Sequence, residues 1–435
     1  MLNCSMEKIL IITAIIVLFN VHDGLLLSNA DDTSSTDNNS TINHDTNRLP
    51  VGFQILKKII DGIRLKLLDR ITDLIQDIGN KTDVEKLKQC YNSEFGNHDL
   101  NIFQLPIRDV IYKYFTSDEH KDLMKDRKKI RKVLITFAHN VRELLHMIRK
   151  CLIAPYEEQM VMGITTLSHL NDDEYQGMQN PQLSSSIFGN FTDHIIPHSK
   201  VFKNKPQKSC QDPGTKVSIP SEFDWNKMGK VTPIRQQNTC GSCFIFAAVS
   251  VVESAILING KNKLKPEQVD LSEQAILNCL PPNTCRVGGW PTEAWKVMKK
   301  RGIVDEKHSP YESRKSHRGC KRYPKSKINY KITDWCGNMN NDEEFIQRFI
   351  MKNGPVFAAV DAESSAWKHV KGVYRAHCGQ TLSHAIVITG WTKDYWIIKN
   401  SWGRNWGVNG YLHLPRGQNK CGINKAMGIA FGKNT

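Results

Sequence analysis

The sequence lacks the signatures of several functional classes. Its basic runs are not interleaved with aromatic residues and match no nucleic-acid-binding motif, so the net charge of +15 does not predict nucleic-acid binding. Its cysteines and histidines nowhere show the spacing of four clustered ligands, which argues against a metal site. No internal repeat is present, so the 435 residues are expected to form two or three folded units. No cofactor is expected.

Acidic residues are too few to balance the basic ones. The chain has 59 Lys and Arg residues against 44 Asp and Glu residues. A solvated, lysine-rich surface is the simpler explanation of this excess, and association with anionic surfaces or polysaccharides is the alternative. The sequence leaves both explanations open.

Long apolar runs are absent after the first thirty residues. The run from Ile9 to Phe19 is too short to span a bilayer comfortably, and small residues follow it at Ser28-Asn29-Ala30. These features predict a signal peptide over residues 1–30, with a hydrophobic anchor as the alternative, and no later transmembrane span. Export predicts a secretory route to a lysosomal or extracellular location, and it predicts disulfide bonds. It also makes three triplets candidate glycan acceptors, those of Asn39, Asn80 and Asn190.

Residues 31–128 form an extension to which the sequence assigns no function. Residues 31–48 are mostly Asp, Asn, Ser and Thr, a composition typical of a disordered linker. Apolar residues then recur at every third or fourth position from Val51 to Ile78, and this spacing predicts a helix of about seven turns. A second helix is predicted from Ile107 to Phe115, before a basic run over 121–132.

A cysteine at the start of an apolar segment is the clearest sign of chemistry. The residues from Phe244 to Ile258 are apolar almost all round, which predicts a buried helix. Asn259-Gly260 is expected to end this helix, because glycine accepts a left-handed backbone. The first turn of a helix favours an anion, so the pKa of the Cys243 thiol can fall from about 8.5 to roughly 3.5–7.5 beside a protonated histidine. A thiolate at that position suits a nucleophile.

Four short motifs carry a resemblance to a known family. Gln237 precedes Cys240-Gly241-Ser242-Cys243, and Ser383-His384-Ala385 and Asn400-Ser401-Trp402-Gly403 follow in that order. With the stretch 219–237, these motifs resemble the mature domain of papain-family cysteine proteases over about 217–435. Phe244 stands where that family usually has Trp or Tyr, from which we expect altered packing and retained activity.

The resemblance implies a fold and a set of catalytic roles. The fold is α+β, with a helical lobe that carries Cys243, a β-barrel-like lobe that carries His384 and Asn400, and a cleft between the lobes. Cys243 is then the nucleophile, His384 its partner in proton transfer, and Asn400 the residue that orients the imidazole. The side-chain amide of Gln237 and the backbone N–H of Cys243 would bind the developing oxyanion. Trp402 would cover the bond between Asn400 and His384.

The resemblance also implies a substrate-binding cleft. A wall of two glycines would pair with the substrate backbone, and an apolar second subsite would favour cleavage after a residue preceded by a bulky apolar one. The implied substrate-binding residues are Gly288, Gly289, Trp290, Pro291, Ala359, Leu382, Ser383 and Trp402. The alternative is that these are ordinary core residues.

A partial resemblance covers the region before the mature domain. Phe137, Asn140 and Leu144 match the helix motif of the family's inhibitory propeptides, and the stretch 163–167 matches its short strand motif. Such a helical segment is expected to lie along the cleft in the reverse direction to substrate and to block it. His169 stands where an aspartate is usual. We expect His169 to become charged between pH 5 and 8 and to help release the block on acidification.

The predicted domain order follows from these segments. The signal peptide over 1–30 precedes a linker and helical extension over 31–128. The inhibitory propeptide and activation linker occupy 129–215, and the catalytic domain occupies 216–435. Residues 178–215 carry few apolar side chains and are the natural place for activating cleavage.

Most of the 12 cysteines are expected in disulfides. The resemblance implies three pairs, which are Cys240 with Cys285, Cys279 with Cys320, and Cys378 with Cys421. Apart from Cys4 in the predicted signal peptide and the nucleophile Cys243, four cysteines remain, at positions 90, 151, 210 and 336. A Cys90–Cys151 bond would tie the N-terminal region together. A Cys210–Cys336 bond has no support from the family pattern, and the sequence alone does not decide these last two pairs.

The sequence therefore predicts a cysteine endopeptidase made as a secreted or lysosomal zymogen, with proteins or peptides as substrates and its own propeptide as inhibitor. Two alternatives stay open. One is a catalytically inactive binding protein on the same fold. The other is a redox protein, because Cys240-x-x-Cys243 is also a dithiol pattern. A Cys240 bonded to Cys285, beside a free Cys243 thiol, would exclude the redox protein.

Overall fold

The computed structural model describes residues 56, 60, 66–183, 209–214, 218–260, 264–315, 319–328 and 330–434. The predicted signal peptide, the linker over 31–48 and most of the activation linker lie outside the described residues. So do Asn39 and Asn190. Asn80 lies inside them and is exposed.

The N-terminal region, here residues 66–183, is mainly helical. Its helices are α1 (Lys66–Lys81), α2 (Val84–Lys88), α3 (Ile107–Thr116), α4 (Arg127–Cys151) and α5 (Asp172–Gly177). A short antiparallel hairpin of β1 (Glu94–Phe95) and β2 (His98–Asp99) lies between α2 and α3. The helix predicted from Val51 to Ile78 is described only in part, and it continues to Lys81.

Helix α4 is the longest described helix and organises this region. One face is apolar and buried, and it includes Ile130, Phe137 and Leu144, while charged side chains occupy the opposite face. Helix α1 packs against α4. A disulfide between Cys90 and Cys151 ties the chain after α2 to the end of α4. The extension and the predicted propeptide therefore form one packed unit.

The C-terminal region, here residues 218–434, combines helices with one antiparallel sheet. Its helices are α6 (Cys243–Asn259), α7 (Glu273–Leu277), α8 (Thr284–Val287), α9 (Pro291–Arg301) and α10 (Glu343–Asn353). Its strands are β3 (Phe223–Asp224), β4 (Tyr330–Met339), β5 (Val356–Val360), β6 (His384–Trp391), β7 (Tyr395–Lys399), β8 (Tyr411–Pro415) and β9 (Ala426–Asn434). The strand order is β4-β9-β5-β6-β7-β8, and β3 pairs with β6.

Helix α6 lies at the centre of the C-terminal region. Every residue from Cys243 to Leu257 is buried, because α9, β6 and β9 pack around a helix that is apolar on all sides. The helix ends at Asn259-Gly260, as predicted, but Gly260 does not use the left-handed conformation that it can accept. Gly260 is extended, with φ at −66°, and its N–H still donates to the Ile256 carbonyl at 2.8 Å. That bond closes the last turn, so a left-handed residue is not required.

Residues 209–214 lie against the C-terminal region. The backbone of Cys210 exchanges two hydrogen bonds with the side chain of Asn338, at 2.8 and 3.1 Å. The guanidinium of Arg348 donates to both carboxylate oxygens of Asp212, at 3.3 and 3.2 Å. A disulfide joins Cys210 to Cys336. A stretch before the predicted boundary at 216 is thus anchored on the C-terminal region, and the boundary itself stays a prediction.

Five disulfides are present in the described residues. They are Cys90–Cys151, Cys210–Cys336, Cys240–Cys285, Cys279–Cys320 and Cys378–Cys421. Cys243 is the free cysteine of this part of the chain. Among the same residues, no helix has the length and apolar character needed to cross a membrane.

Candidate active site

Cys243, His384 and Asn400 come together where α6 meets the sheet. Cys243 begins α6, His384 begins β6, and Asn400 directly follows β7, which pairs with β6. The Nε2 atom of His384 lies 2.7 Å from Oδ1 of Asn400. The backbone N–H of Ala385 donates to Sγ of Cys243 at 3.4 Å. The Nδ1 atom of His384 has no hydrogen-bond partner within the described ranges, so no other group takes up its capacity to accept a proton.

Trp402 covers the imidazole of His384. The two rings stack with centroids 4.3 Å apart and planes inclined by 30°. Trp406 packs edge-on against Trp402 at 4.9 Å, and both tryptophans are fully buried. This apolar cover keeps water from the bond between His384 and Asn400, and a hydrogen bond is stronger in such low-dielectric surroundings.

The side-chain amide of Gln237 is fixed at both ends. Its oxygen accepts from the hydroxyl of Ser401 at 2.7 Å, which sets the direction of the amide. Its nitrogen donates to the carbonyl of Cys240 at 2.8 Å and to the carbonyl of Met178 at 3.0 Å. Met178 belongs to the N-terminal region. The carbonyl of Met178 therefore accepts from the side-chain N–H of Gln237 that, by the resemblance, would bind the oxyanion.

The groove in front of Cys243 is filled by the N-terminal region. The side-chain amide of Asn180 donates to the carbonyl of Gly289 at 2.7 Å and accepts from its N–H at 3.1 Å. The backbone N–H of Asn180 donates to the carbonyl of Ser383 at 2.7 Å. Gly288 has φ at +76°, and a Cβ there would lie 1.9 Å from Oδ1 of Asn180. Asn180 thus occupies the glycine wall and fits there because Gly288 has no side chain.

The predicted substrate-binding residues fall into two groups. Gly288, Gly289 and Ser383 contact Asn180. The others are buried nearby, with Trp290 and Pro291 at the start of α9, Ala359 in β5 opposite Ala385, Leu382 beside Gly422, and Trp402 over His384.

Burial dominates the ionisation of Cys243 and His384 in this covered state. It raises the pKa of the Cys243 thiol to about 11, although the N–H of Ala385 opposes the shift. It lowers the pKa of His384 to about 4, although Asn400 opposes that shift. The expected low pKa of the thiol is therefore wrong while the N-terminal region covers the site. The loss of hydration on burial raises the pKa more than the dipole at the start of the helix lowers it. Both groups are neutral near pH 7.

The stretch 163–167 differs from its predicted strand. Its backbone pairing with the C-terminal region is a single antiparallel bridge between Met162 and Val370 with the hydrogen bonds that flank it, and a turn follows at 166–169. The hydroxyl of Ser168 accepts from the N–H of Thr165 at 2.9 Å. The hydroxyl of Thr166 donates to the carbonyl of Trp402 at 2.6 Å. These side-chain bonds replace a strand ladder and place the turn against the cover of the active site.

His169 packs against buried rings from the extension. Its Nδ1 atom lies 2.9 Å from the hydroxyl of Tyr114, and its ring centroid lies 4.9 Å from that of His120. Burial lowers the pKa of His169 to about 4 and holds the pKa of His120 well below its usual value. The expectation that His169 becomes charged between pH 5 and 8 is therefore wrong for the folded chain.

Sequence reasoning missed three residues that position the site. Asn180 gave no signal, because it is one polar residue in a polar linker. Lys399 is the last residue of β7 and donates to the hydroxyls of Thr232 and Ser250 at 2.8 and 2.9 Å. A charged residue at the end of an otherwise apolar strand was the sequence signal that could have indicated it. Lys368 is also buried, and it contacts the N-terminal region.

The described residues contain no group of three or more His, Cys, Asp or Glu side chains placed to hold a metal ion. The disulfide between Cys240 and Cys285 leaves no dithiol at Cys240 and Cys243. The redox alternative therefore has no support in this structure.

Comparisons with known proteins agree on one family. The family model described as "Papain family cysteine protease" matches residues 219–431. Cathepsin O of Mus musculus is 29% identical over 300 residues, covering 67% of this chain and 88% of that protein. Fruit bromelain of Ananas comosus is 34% identical over 277 residues, covering 60% of this chain and 75% of that protein. Mexicain of Jacaratia mexicana is 34% identical over 210 residues, covering 47% and 94%.

Solved precursors share the fold. Procathepsin L2 from the larval midgut of Tenebrio molitor superimposes with a TM-score of 0.57 at 23% identity, covering 70% of this chain and 94% of that chain. A recombinant stem bromelain precursor gives a TM-score of 0.56 at 26% identity, covering 74% and 98%. The predicted papain-like α+β fold with a helical region before it is confirmed.

The fold and these matches define the class of the protein as a thiol-dependent peptidase. The chain belongs to the papain family of cysteine proteases, and its relatives include precursor forms.

Proposed function

We propose that the protein is a cysteine endopeptidase, made as a secreted or lysosomal zymogen, in which Cys243, His384 and Asn400 cleave peptide bonds. The observation that carries this proposal is the imidazole of His384, bonded to Asn400 at 2.7 Å, with the N–H of the next residue, Ala385, donating to the free thiol of Cys243. A nucleophile, a base and a residue that orients the base are the parts that this catalysis needs.

In the uncovered enzyme, Cys243 transfers its proton to Nδ1 of His384. The thiolate attacks the carbonyl carbon of the substrate and forms a C–S bond. The imidazolium then gives its proton to the leaving amine as the C–N bond breaks, which leaves a thioester. Water, deprotonated by the same imidazole, hydrolyses the thioester, releases the acid and restores the thiol.

Gln237 is the proposed oxyanion donor, with the backbone N–H of Cys243 as the second. The hydroxyl of Ser401 fixes the amide of Gln237, and the carbonyl of Met178 already binds its nitrogen at 3.0 Å. Both contacts support the role, since the donor is rigid and faces a carbonyl oxygen. Loss of one such donor typically costs about 2.7–4 kcal/mol of transition-state stabilisation.

Residues 66–183, called the pro-region below, are proposed to act as the inhibitor. Met178 binds Gln237, and Asn180 binds Gly289 on the glycine wall. That wall is where the family resemblance places the substrate residues before the scissile bond. The pro-region therefore passes the site in the reverse direction to a substrate, so it covers Cys243 without presenting a peptide bond in the geometry for attack.

The proposed second subsite favours a bulky apolar residue. Its proposed lining residues, Trp290, Pro291, Ala359 and Leu382, carry no charge, and a basic side chain there would lack a counterion. A secretory route is supported by the predicted signal peptide and the five disulfides. Glycans at Asn39, Asn80 and Asn190, and association with anionic surfaces or polysaccharides, belong to the same proposal.

Acid incubation of the purified precursor tests this function. Chain length is followed by mass spectrometry, and activity is followed with fluorogenic peptides that carry a bulky apolar residue in the second subsite. We expect the wild type to be trimmed and to gain thiol-dependent activity, and Cys243→Ala to do neither. Met228→Ala, at an exposed residue, is the matched control and should behave as the wild type.

An inactive binding protein would give a different result. A folded wild type that an added protease trims, yet that cleaves no peptide and leaves Cys243 unreactive toward iodoacetamide, would favour that alternative. Phe244→Trp would then be the first reversion to make.

A further inference from the structure

The C-terminal region offers a strand edge to the pro-region beside the active site. Met162 forms an isolated antiparallel bridge to Val370. The N–H of Gly163 donates to the carbonyl of His369 at 2.9 Å, and the N–H of Lys371 donates to the carbonyl of Val161 at 2.9 Å. Main-chain pairing of this kind binds any extended segment, whatever its side chains.

This edge is held in place by the C-terminal region itself. The N–H of Gly407 donates to the carbonyl of Val370 at 3.1 Å. The indole N–H of Trp406 donates to the carbonyl of Trp367 at 2.7 Å. Trp406 also packs on Trp402, which covers His384. The edge is therefore tied to the catalytic centre by contacts that remain when the pro-region leaves.

Lys368 lies at one end of the edge and takes its partners from the pro-region. Only 1% of its side chain is exposed. Its ammonium donates to Oδ1 of Asn140 and to Oδ1 of Asp172, both at 3.2 Å, and lies 3.6 Å from the carboxylate of Glu143. Release of the pro-region removes all three of these partners.

Lys371 lies at the other end and is 9% exposed. Its ammonium donates to the carbonyls of Glu94 and Asn405, both at 2.8 Å. The carboxylate of Glu119 is close enough to favour its charged form, although burial still lowers the pKa of Lys371 to about 8. Glu94 and Glu119 both leave with the pro-region, and the carbonyl of Asn405 stays.

We propose that, in the released enzyme, this edge captures an extended acidic segment of protein substrates in the place of residues 161–163. Main-chain pairing along 369–371 would supply binding, and the ammonium groups of Lys368 and Lys371 would select carboxylates. The pro-region already fills the edge with the extended stretch 161–163, and other parts of it, Glu143, Asp172 and Glu119, bring carboxylates to these lysines. This inference rests on the proposed endopeptidase function and names a substrate class for it.

The path of the pro-region places the edge on the leaving-group side of the scissile bond. The chain leaves the edge at Gly163, reaches Gln237 with Met178, and only then reaches the glycine wall with Asn180. The wall belongs to the residues before the scissile bond. The acidic segment should therefore follow the scissile bond in the substrate.

Two matched peptides test the proposal on the activated wild-type enzyme. Both carry the same cleavage site, a flexible Gly-Ser linker after it, and then a valine-rich segment that contains either five glutamates or five glutamines. Each rate is divided by the rate on a short fluorogenic peptide. We expect kcat/KM to be about threefold to tenfold higher for the glutamate peptide at low salt, and equal for both at about 0.5 M salt.

Two further measurements assign the effect to this edge. The double variant K368Q/K371Q should bring the glutamate-to-glutamine ratio to about one. Because both lysines are buried in the precursor, that variant can fail to fold. Competition by a synthetic peptide therefore provides an independent test on the wild-type enzyme. A synthetic copy of residues 156–172 ends before the cleft-filling segment. It should lower the rate on the glutamate peptide, and a copy with N-methylglycine at 163 should do so far less.

The outcomes separate this proposal from the function on which it rests. Equal kcat/KM for the two peptides at low salt, or a competitor that acts equally on the short peptide, would overturn the acidic exosite while leaving the peptidase intact. No cleavage of the short peptide would overturn the peptidase itself.

Discussion

Two buried lysines of the C-terminal region illustrate a permanent and a releasable interface. Lys399 lies behind the active site, between α6 and the sheet. Its partners, Thr232 and Ser250, belong to the C-terminal region, and the buried carboxylate of Glu253 binds the same hydroxyl of Thr232. Lys368 is equally buried, yet Asn140, Glu143 and Asp172 all come from the pro-region.

The two lysines differ in how exposed the nearby carboxylates are. Glu253 is buried, whereas the side chains of Glu143 and Asp172 are 37% and 83% exposed. A buried ion that loses its counterion is strongly destabilised, whereas an exposed carboxylate is simply hydrated. The interface behind Asn400 should therefore hold through activation, and the one at Lys368 should open at little energetic cost.

The largest effect is expected when the permanent interface is broken. Lys399→Met, made in a Cys243→Ala precursor to prevent self-cleavage, removes the buried ammonium that binds Thr232 and Ser250 and favours the charged form of Glu253. It should lower the free energy of unfolding by about 3–5 kcal/mol. Urea denaturation followed by tryptophan fluorescence measures the change. Lys352→Met, at an exposed position of α10, is the control and should change little. A loss below about 1 kcal/mol for Lys399→Met would contradict the comparison.

Two disulfides extend the comparison, since Cys210–Cys336 lies in the C-terminal part and Cys90–Cys151 lies in the pro-region. The bond between Cys210 and Cys336 should stay in the mature enzyme, so replacing both residues with Ser should destabilise that enzyme by about 2–4 kcal/mol. Replacing Cys90 and Cys151 with Ser should leave the melting temperature of the mature enzyme unchanged. Calorimetry gives both values, and mass spectrometry of the unreduced enzyme shows whether Cys210 is retained. A mature chain without Cys210 would contradict this prediction.

A smaller effect is expected at the releasable interface. Lys368→Met removes contacts to Asn140 and Asp172, and because Asp172 is largely exposed we expect a loss of about 1 kcal/mol in the precursor only. Activation at a fixed acidic pH should become about fivefold faster. The appearance of peptidase activity with time measures the rate. Asp172→Asn should act in the same direction, and its effect should not add to that of Lys368→Met.

The smallest effect concerns the pH of release. His169 has a pKa of about 4 in the folded precursor and about 6.5 when exposed, so the stability it contributes is present above about pH 6.5 and is lost as the pH falls toward 4. His120 shifts in the same direction. Replacing both residues with Asn removes this loss and should lower the pH of half-maximal maturation by about half a unit.

The control for the histidine pair is His98→Asn, at an exposed position of β2. Maturation of the wild type, the double variant and the control is followed by chain length across a pH series. A double variant whose pH profile matches the wild type would show that the buried imidazoles take no part in release.

The residues that form short motifs were predictable from the sequence. Cys243, His384, Asn400 and Gln237 each lie in a motif whose own backbone sets their position, and the structure brings all four together. The buried helix after Cys243 was also predictable from local sequence, because its apolar residues lie on all sides of the helix. Its end at Asn259-Gly260 was predictable too, although Gly260 closes the turn in an extended conformation.

The residues that were missed or misjudged depend on distant segments. Asn180 fits the groove because Gly288 lacks a side chain, and no pattern around Asn180 indicates this. Burial lowers the pKa of His169, and the rings of Tyr114 and His120 that pack against it come from an extension without a recognisable motif. Sequence patterns report local conformation, whereas burial and pKa are properties of the assembled chain.

The reactivity of Cys243 before and after activation tests the central claim most directly. The precursor and the mature enzyme are treated with iodoacetamide at pH 6.5, and alkylation of the peptide that contains Cys243 is followed by mass spectrometry. The pro-region covers the thiol and burial raises its pKa to about 11, so alkylation in the precursor should be at least about 100-fold slower. Equal rates in the two forms would contradict the claim that the pro-region holds Cys243 covered and neutral.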